Sequence, residues 1–449
     1  MKHYITISVI AAAALASCTQ TEDFTSQYNE KAKTMKFDVA YVGKNTRAAT
    51  GELNTAGLAS QKLILWCDAY QTSAIPTTGI WISSQEPLYL SKSDATYWNV
   101  YSDANASTSA DVKYPGSTYT TYFTAIAPQS GFVVSTESNS NSATYDMKDQ
   151  LNTQSAPTFD NRKLTLDKIP VVQEVVNGES AKGIDYLIAC ETSNTEEVAL
   201  KFKHLLSKLR FAVWTDENTA QGNDQTTKIE LNYLKVYLPN SSATAKYVQN
   251  AHDAVAGDWT WSGFTAADAN PTTTGTNDYQ LVSLTGDSEI SSEVKAYSSP
   301  TNAHSAEWSK VKIGDDKQFF IAPNESTSPN NNSLAKLFID IKYTVKRKLD
   351  NGFWSTTDVS GQEGYSAGHK VVERTKMLVP VGDSNYGHGN DSEDDPAGRN
   401  EGLSHFHQGT LETLYICLRA DQKVAFSTDF KVDAWNVDNW VDDPIDINQ

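Results

Sequence analysis

Apolar and polar residues alternate with a period of two along much of this chain, the pattern of strands that bury one face. It first appears over Thr34–Ala48, where Met35, Phe37, Val39 and Tyr41 alternate with Lys36, Asp38, Ala40 and Val42 until Gly43, Lys44 and Asn45 break it. Gln61–Asp68 carries the apolar run LILWC, a strand buried on both faces. Ile80–Ser83, Pro87–Leu90 and Trp98–Tyr101 are short candidates, and Thr118–Ala127 is a long one stopped by Pro128. Leu164–Leu166, Ile169–Val176 and Gly183–Ala189 continue the series. Between them, Ser138–Asn161 is dominated by Ser, Asn, Thr and Asp and reads as a loop or irregular insertion.

A polar, acidic break at Glu191–Glu197 marks the expected boundary between two units. Beyond it Val198, Leu200, Phe202 and His204 alternate, then Leu205, Ser207, Leu209, Phe211 and Val213 do so on the opposite phase. A phase slip of this kind predicts one strand with a bulge or bend near His204–Leu206; a short helix over LLSKL is the alternative. Lys228–Leu238, Gln318–Ala322, Leu337–Val345, Val371–Val381, Leu411–Leu418 and Val424–Ala434 are further strands. Asn240–Lys310 reads as mostly loop, with one aromatic island at Asp258–Phe264, and Asp383–Gly402 as an acidic loop rich in Gly and Asn. Nothing repeats with a period of roughly 20–50 residues.

Composition sharpens this picture. A chain of 449 residues is too long for one ordinary domain. Abundant Thr, Ser, Asn, Tyr and Trp point to an all-β protein with long polar loops. The balance of 37 basic against 55 acidic residues, a formal charge of −18, opposes nucleic-acid binding and suits an exported surface. Cys67, Cys190 and Cys417 each lie in an apolar run at no metal-like spacing, so buried free thiols are expected. No apolar run after Leu15 approaches the ~20 residues of a membrane span.

The N-terminal stretch has Lys2, an apolar run from Ile5 to Leu15, and then Leu15-Ala16-Ser17-Cys18. Small residues directly before a cysteine end this signal peptide as a bacterial lipobox does, so residues 1–17 would be removed and Cys18 would carry lipid such as palmitate. Arg47 follows the first strand in a polar loop, where a trypsin-like protease could cut before Ala48. Such a cut would release the strand and the lipid together.

Candidate chemistry is sparse. Gly364-Tyr365-Ser366-Ala367-Gly368 matches the nucleophile elbow, but polar residues precede Ser366, no helical stripe follows it, and no β/α alternation exists to support it. His388, His405 and His407 lie near Asp391, Glu393, Asp394 and Asp395, yet Pro396 stands where a calcium loop needs glycine. A solvated loop accounts for them better than a metal site. Trp259, Trp261 and Phe264 would form a sugar platform or, more simply, plug a gap between a loop and a sandwich. There is no P-loop, HExxH, CxxC or dinucleotide fingerprint. The sequence predicts neither an enzyme nor a cofactor or metal.

Three stretches resemble one family. The lipobox, first strand and Arg47 resemble the leader of the fimbrillins, pilin subunits of type V pili from Bacteroidales. IDYLIACETSNTEEVALKFKHLLSKLRFAV, from Ile184, resembles that family's domain junction, and GTLETLYICLRADQKVAFSTDFKVDAW its closing strands, with Val432 and Trp435 in the terminal V-x-x-W. The resemblance covers about a quarter of the chain; the insertions at Asn240–Lys310 and Asp383–Gly402 match nothing in it. It implies two tandem β-sandwich domains of transthyretin-like, Greek-key topology, over residues 48–195 and 196–449, after a removable leader over 18–47. It further implies export as an outer-membrane lipoprotein, cutting by an Arg-specific or trypsin-like protease, and assembly with other pilin subunits, as a homopolymer or mixed pilus, by strand exchange. The displaced strand would carry Met35, Phe37, Val39 and Tyr41. Trp435, Val437 and Val441 alternate in the tail and are the expected donor residues, with Val424–Ala434 as the other candidate. A stalk subunit is favoured over a tip or anchor. The competing readings are a glycan-binding surface lipoprotein and a serine esterase built on Ser366.

Overall fold

The structure is a computed structural model that describes residues 33–41, 58–71, 87–92, 97–114, 119–131, 142–145, 164–175, 183–217, 226–250, 254–264, 279–314, 317–323, 337–349, 352–355, 369–379, 406, 408–409, 411–420 and 424–431. The protein is all-β, as its alternation predicts. Strands of the first half are β1 (Lys36–Tyr41), β2 (Lys62–Gln71), β3 (Leu88–Ser91), β4 (Asn99–Tyr101), β5 (Tyr119–Ala127), β6 (Ser142–Tyr145), β7 (Leu164–Pro170), β8 (Val172–Val175), β9 (Leu187–Ser193) and β10 (Glu197–His204). The second half continues with β11 (Ser207–Trp214), β12 (Thr227–Pro239), β13 (Thr244–Gln249), β14 (Gly257–Ser262), β15 (Tyr279–Ser283) and β16 (Ser292–Glu293). Two short helices, α1 (Pro300–His304) and α2 (Trp308–Val311), precede β17 (Gln318–Ile321), β18 (Leu337–Arg347), β19 (His369–Val379), β20 (Leu411–Leu418) and β21 (Val424–Lys431).

The first sheet runs β1-β10-β9-β5-β2-β3-β4, and its two ends meet. Trp98, beside β4, bridges Phe37 of β1, its amide donating to the Phe37 carbonyl at 2.9 Å. This wall encloses a core of Met35, Phe37, Val39, Leu63, Leu65, Phe123, Leu187, Leu200 and Phe202 among others. Ile64, Trp66, Ile126 and Ile188, on the other face of the same strands, join a second core with Leu164, Leu166, Ala245 and Tyr247 of the four-stranded sheet β14-β13-β7-β6. Burial on both faces explains why LILWC is continuously apolar rather than alternating.

The phase slip near His204 marks a change of sheet. β10 alternates exposed and buried residues as an outer wall strand, whereas β11 is buried throughout. Between them the Leu205 amide donates to the Tyr186 carbonyl at 2.8 Å, and His204 Nδ1 lies 2.7 Å from Asp185 Oδ1 in a buried pair. The single bulged strand expected here is therefore two strands in two sheets, because each phase faces a different core. The acidic break at Glu191–Glu197 spans the end of β9, the turn after it and the first residue of β10, and these two strands pair with each other in the first sheet. The chain changes sheet at Leu205–Leu206.

β11 is central to the sheet β21-β20-β11-β17-β8, parallel to β20 and antiparallel to β17. That sheet faces β15-β12-β18-β19, with β16 on β12, across Leu209, Phe211, Val213, Ile416, Val236, Ile339 and Ile341. On the outer side of β11 and β20, Ala212, Trp214, Tyr415 and Cys417 are covered by Ala303 and Val311 of the two helices. Arg210 holds the helices in register, its guanidinium 3.9 Å from the Trp308 ring centroid and its Nε donating to Thr413 at 2.7 Å.

The reading of Asn240–Lys310 as loop is corrected by β13, β14, β15, β16 and both helices. β13 buries only Ala245, Tyr247 and Gln249, a weak alternation, blurred by the apolar Val248, that pairing with β7 makes into a strand. Gly257 is required beside it, since a Cβ there would lie 2.1 Å from the Tyr247 ring. Within Ser138–Asn161, β6 is likewise a strand through its pairing with β7. Ile80–Ser83 lies outside the described residues. Cys67 and Cys417 are buried free thiols as expected, while Cys190 is half-buried; burial pushes the Cys417 thiol up to about 12.

On the outer face of β12, Glu230 accepts from Lys228, Lys346 and Ser291, each at 2.6 Å. Burial alone would raise its carboxyl pKa, but hydrogen bonds from Lys228, Lys346 and Ser291 outweigh burial and bring it down to about 2. A depressed folded-state pKa contributes stability that is complete above the ordinary value of 4.5 and is lost as pH falls toward 2. Glu230→Gln should therefore lower Tm at neutral pH, and the gap to wild type should narrow between pH 4.5 and 2 in thermal melts. A gap that stays constant across that window would show that this network does not carry the acid sensitivity.

Candidate functional site

The candidate site is β1 together with the groove that holds it. β1 runs parallel to β10 over six register pairs, from Lys36 opposite Glu197 to Tyr41 opposite Phe202. A parallel neighbour from so distant a part of the sequence is legible only in the fold, since alternation fixes a strand's faces and not its partner. On the other edge, the Met35 amide donates to the Val112 carbonyl at 2.7 Å, and the Tyr114 amide donates to the Lys33 carbonyl at 2.8 Å. With the Trp98 bridge, the segment is bonded along one edge by β10 and on the other at Lys33, Met35 and Phe37.

Met35, Phe37 and Val39 point inward, as predicted. Phe37 is fully enclosed, its ring 5.5 Å from that of Phe123 in an edge-to-face contact. Three such side chains are worth about 5–9 kcal/mol gross by area, an upper figure because unfolded chains also hide apolar surface. Tyr41 is paired to β10 through its backbone, and its side chain lies outside the described residues.

The outward face is ionic. Lys33 Nζ lies 3.1 Å from Glu196 Oε2, and Lys36 Nζ 3.4 Å from Glu197 Oε1. Tyr97 donates to Glu197 Oε1 at 2.9 Å, and Lys36 sits 5.3 Å from the Tyr97 ring centroid. The hydrogen bond to Glu197 raises the Tyr97 hydroxyl pKa. Sequence reasoning gave none of Glu196, Glu197, Tyr97 or Trp98 a role at this site, although Trp98 opens a strand candidate and Glu197 closes the acidic break. The signals in the sequence were two adjacent acids at 196 and 197 and lysines at 31, 33 and 36, with nothing to say that they meet.

Cys18, Arg47 and Ala48 lie outside the described residues, as do Trp435, Val437 and Val441. So do Ser366 with its glycines, the three histidines and their acidic neighbours. The aromatic island is described. Trp259 is buried against Tyr247 with centroids 5.2 Å apart, and the Trp261 indole donates to the Pro323 carbonyl at 3.1 Å. Phe264 meets Trp261 and Tyr279 edge to face. These rings pack on one another and on the sandwich, the simpler of the two readings, and present no stacked platform for a sugar.

No family model and no curated protein matches this chain. Solved structures of low similarity exist. A candidate cell adhesion protein from Bacteroides uniformis is 10% identical, over 89% of this chain and 97% of that one, with a TM-score of 0.30. A fimbrial assembly protein from Parabacteroides distasonis is 9% identical over 90% and 97%, with a TM-score of 0.31. A candidate adhesin from Bacteroides thetaiotaomicron is 9% identical over 89% and 97%, with a TM-score of 0.27. TM-scores at this level carry no weight for fold or role.

Because Phe37 fills the centre of its core, Phe37→Ala in the full chain should cost about 3–5 kcal/mol in denaturant unfolding. Lys36→Ala should stay within about 0.5 kcal/mol of wild type, as exposed side chains do. Equal costs for the two would mean that β1 is not held by its inward face.

Proposed function

We propose that this chain is the precursor of a structural pilin, a fimbrial stalk subunit that polymerises by strand exchange once its lipidated N-terminal strand is cut away. The single observation that carries the reading is β1, an N-terminal strand buried on its inner face, paired along one edge with β10 and bonded at its start on the other edge too. Its loss would leave two unpaired edges around an apolar slot, and another extended segment would repair both. The sequence supplies the rest: Cys18 as the lipid attachment point, Arg47 as the protease site, and a tail in which Trp435, Val437 and Val441 alternate as donor. In this reading the precursor sits on the outer membrane through Cys18. An Arg-specific or trypsin-like protease exposes Ala48, and the mature subunit passes into an extracellular fimbrium of like or mixed subunits. It has no catalytic role and needs no cofactor.

A strand tethered to its own domain competes at high effective concentration against any donor from another chain. Arg47→Ala with Lys44→Ala, which removes the nearby alternative cut, should therefore give a folded, lipid-anchored monomer with the high-mass polymer gone. Denaturant-resistant ladders from that double variant would sink the mechanism. Truncation after Ala434 should leave a folded, cleavable monomer that does not polymerise; normal fibres from it would move the donor role to Val424–Ala434.

A further inference from the structure

Strand addition through backbone bonds is indifferent to sequence, so specificity must come from side chains at the slot. Inside, the pockets of Met35, Phe37 and Val39 ask only for apolar groups of suitable size. Outside, at the end where β1 enters the sheet, Glu196 and Glu197 stand side by side with Tyr97 across from them. Lys33 and Lys36, three residues apart on the incoming strand, meet one acid each.

This arrangement rests on the strand-exchange reading of the slot and adds a rule of selection to it. We propose that Glu196 and Glu197 are specificity-determining residues of the β1 slot, selecting an extended segment with basic residues three apart that flank its first buried side chain. The leader fits that description: lysines at 31, 33 and 36 lead into Met35, Phe37 and Val39. The chain's own tail does not. Residues 432–449 hold five aspartates and no basic residue. The acidic mouth therefore holds the leader in place against tails of neighbouring copies. It also sets register, because a slip of two residues would keep the apolar face inward yet move Lys36 away from Glu197.

The test uses the full chain, with residues 44–47 replaced by the recognition sequence of a site-specific protease. After cutting, release of the leader fragment is followed by gel filtration at low and high salt. Glu196→Gln with Glu197→Gln should speed release about three- to tenfold at low salt, as loss of two exposed ion pairs predicts, and should abolish its salt dependence. Because both glutamates are on the surface, these variants fold. Reversing the charges on both sides, Glu196→Lys and Glu197→Lys with Lys33→Glu and Lys36→Glu, should restore slow, salt-sensitive release. In the same samples, added peptide 31–41 should enter the slot several-fold better than its Lys33→Glu, Lys36→Glu version or peptide 432–443. Equal release from all variants, including no release from any, overturns the selection rule, as does equal entry of the three peptides. Polymer formation is scored separately: its absence from cut wild type that releases its leader counts against strand exchange and not against the charge rule.

Discussion

The insertion of Phe37 between β10 and the Trp98 segment is the contact on which the first half of the molecule depends. β1 ends a wall of seven strands whose two ends touch at the Phe37–Trp98 bridge, which covers part of an edge that would otherwise be open. The same closure encloses Phe123, Leu200 and Phe202, which would otherwise line an open trough. One short strand thus settles both the polar accounting of two neighbouring backbones and the dryness of a core. That dual role makes the strand valuable in place and consequential when removed.

The second half is held differently. β11 is buried on both faces, one against the facing sheet and the other under Trp308 and the two short helices. No terminal strand closes it among the described residues, and β21 forms an edge. The chain passes from β10 to β11 through a turn tied by the buried His204–Asp185 pair and by amide bonds from Leu205 and Gly409, and the halves also share sheets through β8 beside β17 and β13 beside β7. His204, Leu205 and Leu206 are all shielded from water at the turn between β10 and β11.

Selectivity and strength are separated at the β1 slot. Apolar side chains and backbone bonds supply the hold, since each removes groups from water. The exposed ion pairs of Lys33 and Lys36 are individually weak but carry sign, and sign separates the lysine-bearing approach to β1 from the aspartate-rich residues 432–449. The aromatic residues that suggested ligand recognition, Trp259, Trp261 and Phe264, are used for packing instead.

Period-two alternation by itself determined the all-β class, the inward face of β1 and most strand positions, because a strand that buries one face must write that face at every second residue. The run LILWC likewise announced burial on both sides. Alternation is silent on partners. It could not say that β1 lies parallel to β10, that Trp98 closes the wall, or that Glu196 and Glu197 meet the leader's lysines, since these residues are about 60 to 160 positions apart and only the fold brings them together. It read β13 and β14 within a loop for the same reason: their pattern is faint, and the pairing of β13 with β7 and of β14 with β13 makes them strands. The reversal of phase at His204 was visible in the sequence. Only the tertiary structure made it a change of sheet, because which core a face meets depends on what is packed against it.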